Sequence, residues 1–328
     1  MRTALLCAFA LLPLIPLQPT TRHEPGSNGP THDGFDPGRA SFSLHFNKET
    51  TPYRVIATFV LPGEELTIEA LATGGGNVYR AQAAQGTLSA QSTSRWTFLP
   101  PSTPGLYPVT VRQLEPADSI RLNVFVMVPF SKIENEHLNG YRIGRYPARP
   151  LKGMAIYNPP RGFIEVTREN RETLVAPHFR LSQFLCKQES EWPKYIVLQE
   201  RLLLKLELIL AALNESGYRA STLAIMSGYR TPFYNQAIGN VQYSRHVWGG
   251  ASDIYVDESP RDGVMDDLNG DGRIDNRDAG VIYDLIDGMH GEPWYATFVG
   301  GLGRYRKTSS HGPFVHVDVR GFRARWGS

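Results

Sequence analysis

His246, Asp253 and His316 are the residues of this chain best suited to chemistry. They stand in SRHVWGGASD and FVHVDVRG. Two imidazoles and one carboxylate form a three-ligand set that suits a catalytic zinc ion and leaves a fourth position open for water or substrate. Asp253 follows His246 by seven residues, so one short loop could present both. His316 comes from a later segment, and only a folded domain can assemble the set. Gly249, Gly250, Ala251 and Ser252 are small enough to let the backbone pass close to an ion. DIYV and FVHVDV read as buried strands that would hold the ligands rigidly. Taken singly, each His is more often an exposed or hydrogen-bonded residue than a ligand; the flanking pattern singles these two out.

Three stretches, SGYRTPFYN, SRHVWGGASDIYVD and GGLGRYRKTSSHGPFVHVDVRGFRARWG, together resemble the M15 zinc peptidases. The subgroup is that of D-alanyl-D-alanine carboxypeptidases and murein endopeptidases. The likeness runs from about His178 to Trp326 and opens on HFRLSQFLC. An SGYR, an H-x6-D and a late HVD in that order make it specific, where any one alone would be weak. The resemblance implies an α+β zinc peptidase domain of M15/hedgehog-like fold. It also implies substrates with D-amino acids in peptidoglycan stems or cross-links. Arg230, 16 residues before His246, resembles the family's substrate-binding Arg. A guanidinium can hold a peptide C-terminal carboxylate through two parallel hydrogen bonds.

The proton shuttle is less plain. Many members carry a Glu two or three residues before the last His ligand, but Phe314 and Pro313 stand there. His311 resembles the catalytic His of one carboxypeptidase branch and would exchange protons or stabilise an oxyanion. SSHGP also reads as a flexible exposed turn. Ser227 and Tyr229 flank Arg230 and are candidate pocket residues. Asp318 lies two residues after His316, hence on the same face of a strand. Either it orients a ligand or contacts substrate, or it pairs with Arg320 or Arg323 in a purely structural role.

A second metal signal is DLNGDGRIDNRD, residues 267–278. Asp267, Asn269, Asp271, Asp275 and Asp278 fall at loop positions 1, 3, 5, 9 and 12, with Gly272 at the sharp turn. Arg273 would offer its backbone carbonyl at position 7. This pattern resembles an EF-hand or dockerin-type calcium loop, with Asp in place of Glu at position 12. DAGVIYDLIDGMHG reads as the helix that leaves the loop. A single structural calcium loop ordering the insertion at 262–290 is the expectation, with an acidic solvated turn as its alternative.

The elements that must position these residues are legible in part. KYIVLQERLLLKLELILAALNESG has apolar residues along a helical face and stops at Ser216-Gly217, so a core helix is expected. STLAIMSGYR reads as a strand entering a loop, and Pro232 as the first residue of a short helix. Ahead of this domain, SFSLHF, YRVIATFVL, LTIEAL, RWTFL, YPVTVRQ and IRLNVFVMV are short β-branched and aromatic runs between turn signals. They predict a small all-β, immunoglobulin-like sandwich over 41–130. Residues 131–175 read as an irregular Tyr- and Arg-rich connector, and 176–328 as the peptidase domain. Residues 23–40, with His23 and His32, read as a flexible linker.

At 328 residues the chain is long enough for two modest domains. A net charge of +2, with no interleaved basic and aromatic stripe, argues against nucleic acid. Arg2 followed by ALLCAFALLPLIPL suits a secretory signal, so 1–22 is expected to be a signal peptide or an uncleaved anchor. Export to the periplasm, envelope or extracellular space follows from that reading. With Cys7 removed, Cys186 stands alone in FRLSQFLC, where a buried inert thiol is expected rather than a nucleophile. The function expected is that of a murein D,D-carboxypeptidase or D,D-endopeptidase, with an L-alanyl-D-glutamate endopeptidase in the same class. The alternatives of other classes are a non-catalytic wall-binding protein with a structural zinc, and an extracellular scaffold protein. Oligomeric state is not legible.

Overall fold

The computed structural model describes residues 34–72 and 77–327. The expected signal segment, with His23 and His32, lies outside the described residues. Nine strands come first: β1 Arg39–Phe46, β2 Glu49–Tyr53, β3 Val55–Val60, β4 Leu66–Leu71, β5 Tyr79–Ala83, β6 Thr87–Ala90, β7 Arg95–Leu99, β8 Gly105–Gln113 and β9 Asp118–Val126. They form a five-stranded sheet in the order β2-β1-β4-β7-β6 and a four-stranded sheet in the order β3-β9-β8-β5. All pairings are antiparallel except β3 with β9. Period-2 alternation explains the first sheet: in LTIEAL, Leu66, Ile68 and Ala70 are buried while Thr67 and Leu71 are exposed. β3 and the end of β9 break that alternation and are buried on both faces.

The second unit covers that doubly buried side. α1, Glu200–Glu215, lies against β3. Its Leu202, Leu203, Leu206, Ile209, Leu210 and Leu213 are all inaccessible to solvent, each contributing roughly 1.5–3 kcal/mol of apolar burial. Polar ties fix the register of the two units. The Glu200 carboxylate accepts from Thr58 Oγ1 at 2.9 Å and the Phe59 amide at 3.3 Å, and Arg201 donates to Glu49 at 2.7 Å. Asn123 donates to the Leu174 carbonyl at 2.8 Å. Residues at the start of the described chain are docked too: the Phe35 ring stacks on His178, and His178 Nε2 donates to the Asp36 carbonyl.

The sequence predicts one helix through KYIVLQERLLLKLELILAALNESG, and the structure divides that stretch. Lys194–Ile196 is a strand paired with Gly162–Val166, and the helix begins at Glu200. Tyr195 and Ile196 are β-formers that find a partner strand, which helical periodicity cannot reveal. α2, Pro232–Ala237, carries Pro at its first turn, capped by Thr231 Oγ1 accepting from the Tyr234 amide.

The C-terminal sheet has five strands in the order Ala224–Ser227, Ala251–Tyr255, Phe314–Asp318, Gly301–Tyr305, Ala324–Gly327. Neighbours are antiparallel except the last two, which run parallel. α3, Asn276–Gly288, packs on Gly301–Tyr305. Sheet dominates and helices are few, an α+β arrangement. Among the described residues no helix is long and apolar enough to cross a membrane.

Candidate metal centre

One cross-strand row builds the site. Ser227 faces Asp253, Asp253 faces His316, His316 faces Gly303, and Gly303 faces Trp326. Residues directly opposite on neighbouring strands share a face, so the row crosses all five strands on one side. His246 comes from outside the sheet, on the 3-10 turn Arg245–Trp248 just before Ala251–Tyr255. Its Nε2 lies 3.2 Å from Asp253 Oδ1 and 3.2 Å from His316 Nδ1, which are themselves 2.9 Å apart. All three side chains are buried.

The opposite edge of each ligand is held in turn. His246 Nδ1–H donates to the Gly228 carbonyl at 2.7 Å. His316 Nε2–H donates to Asp318 Oδ2 at 3.3 Å. Asp253 Oδ2 accepts from Arg230 Nη2 at 2.6 Å. With both imidazoles neutral and their N–H groups donated outward, two nitrogen lone pairs meet a carboxylate oxygen. Buried acceptors so close repel unless a cation sits among them. The donor set, its burial and its outward anchors fit a zinc ion.

Before a metal binds, the two imidazoles are pulled in opposite directions. Burial pushes the Asp253 carboxyl up, but His246 and His316 outweigh it and hold it well below the usual carboxylate range. Burial lowers His246, favouring the neutral, ligating form. Burial also acts to lower His316, but its hydrogen bonds to Asp253 and Asp318 win and raise it.

The other expected residues fall in different places. Arg230 lines the cleft, yet two of its donors are committed, Nη2 to Asp253 and Nε to Ser227 Oγ at 2.8 Å. Ser227 therefore holds Arg230. Tyr229 is buried, its hydroxyl bonded to Tyr146 Oη at 3.1 Å, and does not line the cleft. Asp318 is fully buried and serves both readings at once: it accepts from His316, and Arg320 grips it through Nε and Nη2. It is out of reach of a substrate. Its carboxyl, despite burial, is held far below the usual range by His316 and Arg320. His311 does not line the cleft; its ring stands edge-on to Phe314 and its Nδ1 donates to the Gly312 carbonyl. Gly249 is small for a reason other than an ion. It has φ +62°, and an added Cβ would come 2.2 Å from the Val197 carbonyl oxygen. Cys186 is buried and its thiol is pushed up by burial.

The expected calcium loop is wound tightly. Asp267 accepts from the Gly270, Asp271 and Gly272 amides, and Asn269 from the Asp271 amide. Asp271 accepts from the Arg273 amide, and Arg277 bridges Asp271 and Asp275. Asp278 is fully buried and accepts from the Leu268, Asn269 and Asp275 amides. Among the described residues, no three of these carboxylates draw together as His246, Asp253 and His316 do.

A cleft of about 490 Å³ opens over the three ligands. Sequence reasoning missed its walls. Tyr305, Phe314 and Trp326 form one side, with Tyr305 stacked on Phe314 at 4.5 Å and Trp326 Nε1 donating to Tyr305 Oη. Gly303 makes room for the Trp326 indole, since an added Cβ would lie 2.3 Å from its Nε1. Leu151, Tyr157 and Tyr243 line the cleft as well. Asp253 is the sole carboxylate among the lining residues.

A buried His–Asp–His centre at the floor of a cleft defines a candidate metal-dependent hydrolase. Residues 177–270 match the family model described as Peptidase M15, which supports a metallopeptidase domain there. His246 and Asp253 lie inside the matched stretch, and His316 beyond it. No curated protein matches the chain. Among solved structures, the chain is similar to a nucleoside hydrolase-related hypothetical protein from Saccharophagus degradans associated with carbohydrate metabolism. Identity is 13% and the TM-score 0.21, over 27% of this chain and 25% of that one. So slight a likeness bears on neither fold nor function.

Proposed function

We propose that this chain is an exported, zinc-dependent peptidase that hydrolyses D-amino-acid-containing peptide bonds of peptidoglycan. The observation that carries the reading is the convergence of His246, from the turn before the sheet, on Asp253 and His316 of one cross-strand row, all three anchored on their outer edges and two of them inside the M15 match. His246, Asp253 and His316 would hold the zinc. When bound, zinc supplies Lewis-acid activation of the scissile carbonyl and of water. Gly228 and Asp318 keep the two imidazoles in the ligating tautomer and orientation. Arg230 steadies Asp253. Its Nη1, which makes no hydrogen bond among the described residues, is left for a substrate carboxylate, and this favours carboxypeptidase over endopeptidase action. The aromatic residues Tyr305, Phe314 and Trp326 would flank a substrate bound over the ligands. Proton transfer is assigned to His311, which packs on the cleft residue Phe314 beside the exposed 306–310 turn and would have to move with that turn to reach the ligands.

The acidic 267–278 loop is read as a single structural calcium site that orders one rim of the peptidase unit. The two N-terminal sheets are read as an immunoglobulin-like module that contacts the wall polymer. The chain would act in the periplasm, envelope or extracellular space.

Digestion of purified peptidoglycan tests the reading, with the wild-type chain beside His246→Ala, with and without added zinc, and muropeptides identified by mass. Loss of a terminal Ala means carboxypeptidase; conversion of dimers to monomers means endopeptidase. Products that persist at full rate in His246→Ala would sink the zinc reading.

A further inference from the structure

Residues 145–158 read as connector in the sequence and lie outside the family match, yet they are strapped across the turn that carries His246. Four hydrogen bonds fasten them. Tyr146 Oη donates to the Val247 carbonyl at 3.0 Å and Tyr243 Oη to the Arg149 carbonyl at 3.0 Å. Arg245 Nη1 donates to the Ile156 carbonyl at 2.6 Å, and Trp248 Nε1 to the Asn158 carbonyl at 2.8 Å. Each side-chain donor spans the gap between strap and turn, so the turn cannot shift without breaking several at once.

Apolar packing reinforces them. Tyr157, Val247 and Trp248 form a small core of their own, separate from the main one, with Leu151, Met154 and Ile156 packed against it. The Tyr157 ring meets Trp248 edge-on at 5.2 Å, and the Arg245 guanidinium lies 5.0 Å from the Tyr157 ring centre. Tyr146, which packs against both, joins this cluster to the main core, so the strap ties the ligand-bearing turn to the rest of the fold. Both Leu151 and Tyr157 also line the cleft over the three ligands. Leu151 is half-buried, with its side chain at the boundary between this cluster and the open cleft.

We propose that the 145–158 strap is the specificity wall of the substrate cleft, with Leu151 and Tyr157 limiting the side chain accepted beside the scissile bond and Arg245 positioning the wall. This rests on the peptidase reading above. Leu151 and Tyr157 line the same cleft as Tyr305, Phe314 and Trp326, so a substrate residue over the ligands meets apolar surface from both groups. A cleft of about 490 Å³ has room for a peptide segment, and the side chain admitted beside the reacting bond is set by how far Leu151 and Tyr157 project into it.

The test varies one wall residue in opposite directions. The full chain, Leu151→Ala and Leu151→Trp are loaded with zinc and given N-acyl-L-Lys-D-Ala-D-Xaa peptides, free-acid and amide-capped, with Xaa growing from Ala to Val to Phe. Leu151→Ala is expected to raise kcat/KM for the Phe peptide relative to the Ala peptide about tenfold, and Leu151→Trp to lower it, both mainly through KM. Bound zinc per chain, measured by metal analysis, stays at the wild-type level. A merely structural role would move both variants the same way, so opposite signs are diagnostic, and either variant alone carries its half of the test. A Phe-to-Ala ratio within twofold of wild type in both variants overturns the wall while leaving the peptidase reading in place. No turnover of any peptide by the wild-type chain removes the peptidase reading, and the wall with it.

Discussion

Asp318→Asn asks whether the carboxylate behind His316 tunes the metal centre or only knits the sheet. Asp318 is fully buried and takes hydrogen bonds from the Gly301 amide at 2.7 Å, the Arg320 amide at 3.0 Å, Arg320 Nε at 2.9 Å and His316 Nε2 at 3.3 Å. Asn keeps the shape but removes the charge and turns one acceptor into a donor among donors. Loss of an outer-shell partner costs roughly 10–100-fold in metal affinity. That is about 1.4–2.8 kcal/mol at about 1.4 kcal/mol per tenfold. Stability should fall as well. Breaking a buried pair costs about 3–5 kcal/mol, and here the value belongs at the low end because the Arg320 side chain keeps 18% exposure. Zinc affinity is read by competition with a chromophoric chelator, and stability by urea unfolding of the metal-free chain. If the variant binds zinc within twofold of wild type while its stability drops, Asp318 is purely structural and the tuning argument is wrong.

Gly303→Ala should destabilise by about 1–3 kcal/mol and displace Trp326, because the new Cβ would lie 2.3 Å from the indole nitrogen; an unchanged melting temperature and tryptophan emission would contradict this. The His178–Glu207 contact predicts a pH dependence. Burial acts to lower His178, but the hydrogen bond and charge of Glu207 raise it overall, and burial raises Glu207. Groups raised on folding stabilise most at low pH, so the wild-type advantage over His178→Asn should be full below about pH 6.5 and shrink as pH rises through the folded value. An advantage that grows as pH rises above about 6.5, in urea titrations, refutes the pairing. Calcium at about 100 times its dissociation constant should stabilise the chain by about 2.7 kcal/mol, and Asp267→Ala with Asp271→Ala should abolish the gain. Equal thermal shifts in both proteins would remove the calcium loop.

The candidate ligand set was legible because it depends on local chemistry. Residue types that bind zinc, and a period-2 pattern placing His316 and Asp318 on one strand face, can be read without a fold. The helix stop at Ser216, the Pro232 helix start and most sandwich strands came from equally local signals. What the chain could not reveal is pairing between distant segments. KYI became a strand because Gly162–Val166 lies beside it. Arg230 reads as a free clamp until Asp253 and Ser227 are found against it. Gly249 serves the close Val197 backbone, and Gly303 the Trp326 indole, and neither neighbour is near in sequence.

The sequence by itself determined the metal-binding residue types, their order and the alternation that aims them. Tertiary structure alone decided the register that sets Ser227, Asp253, His316, Gly303 and Trp326 in one row. It also decided that a segment read as connector closes one wall of the cleft. The physical reason is range: side-chain chemistry and strand period are properties of a few adjacent residues, whereas register and wall packing minimise free energy over contacts between segments up to about a hundred residues apart.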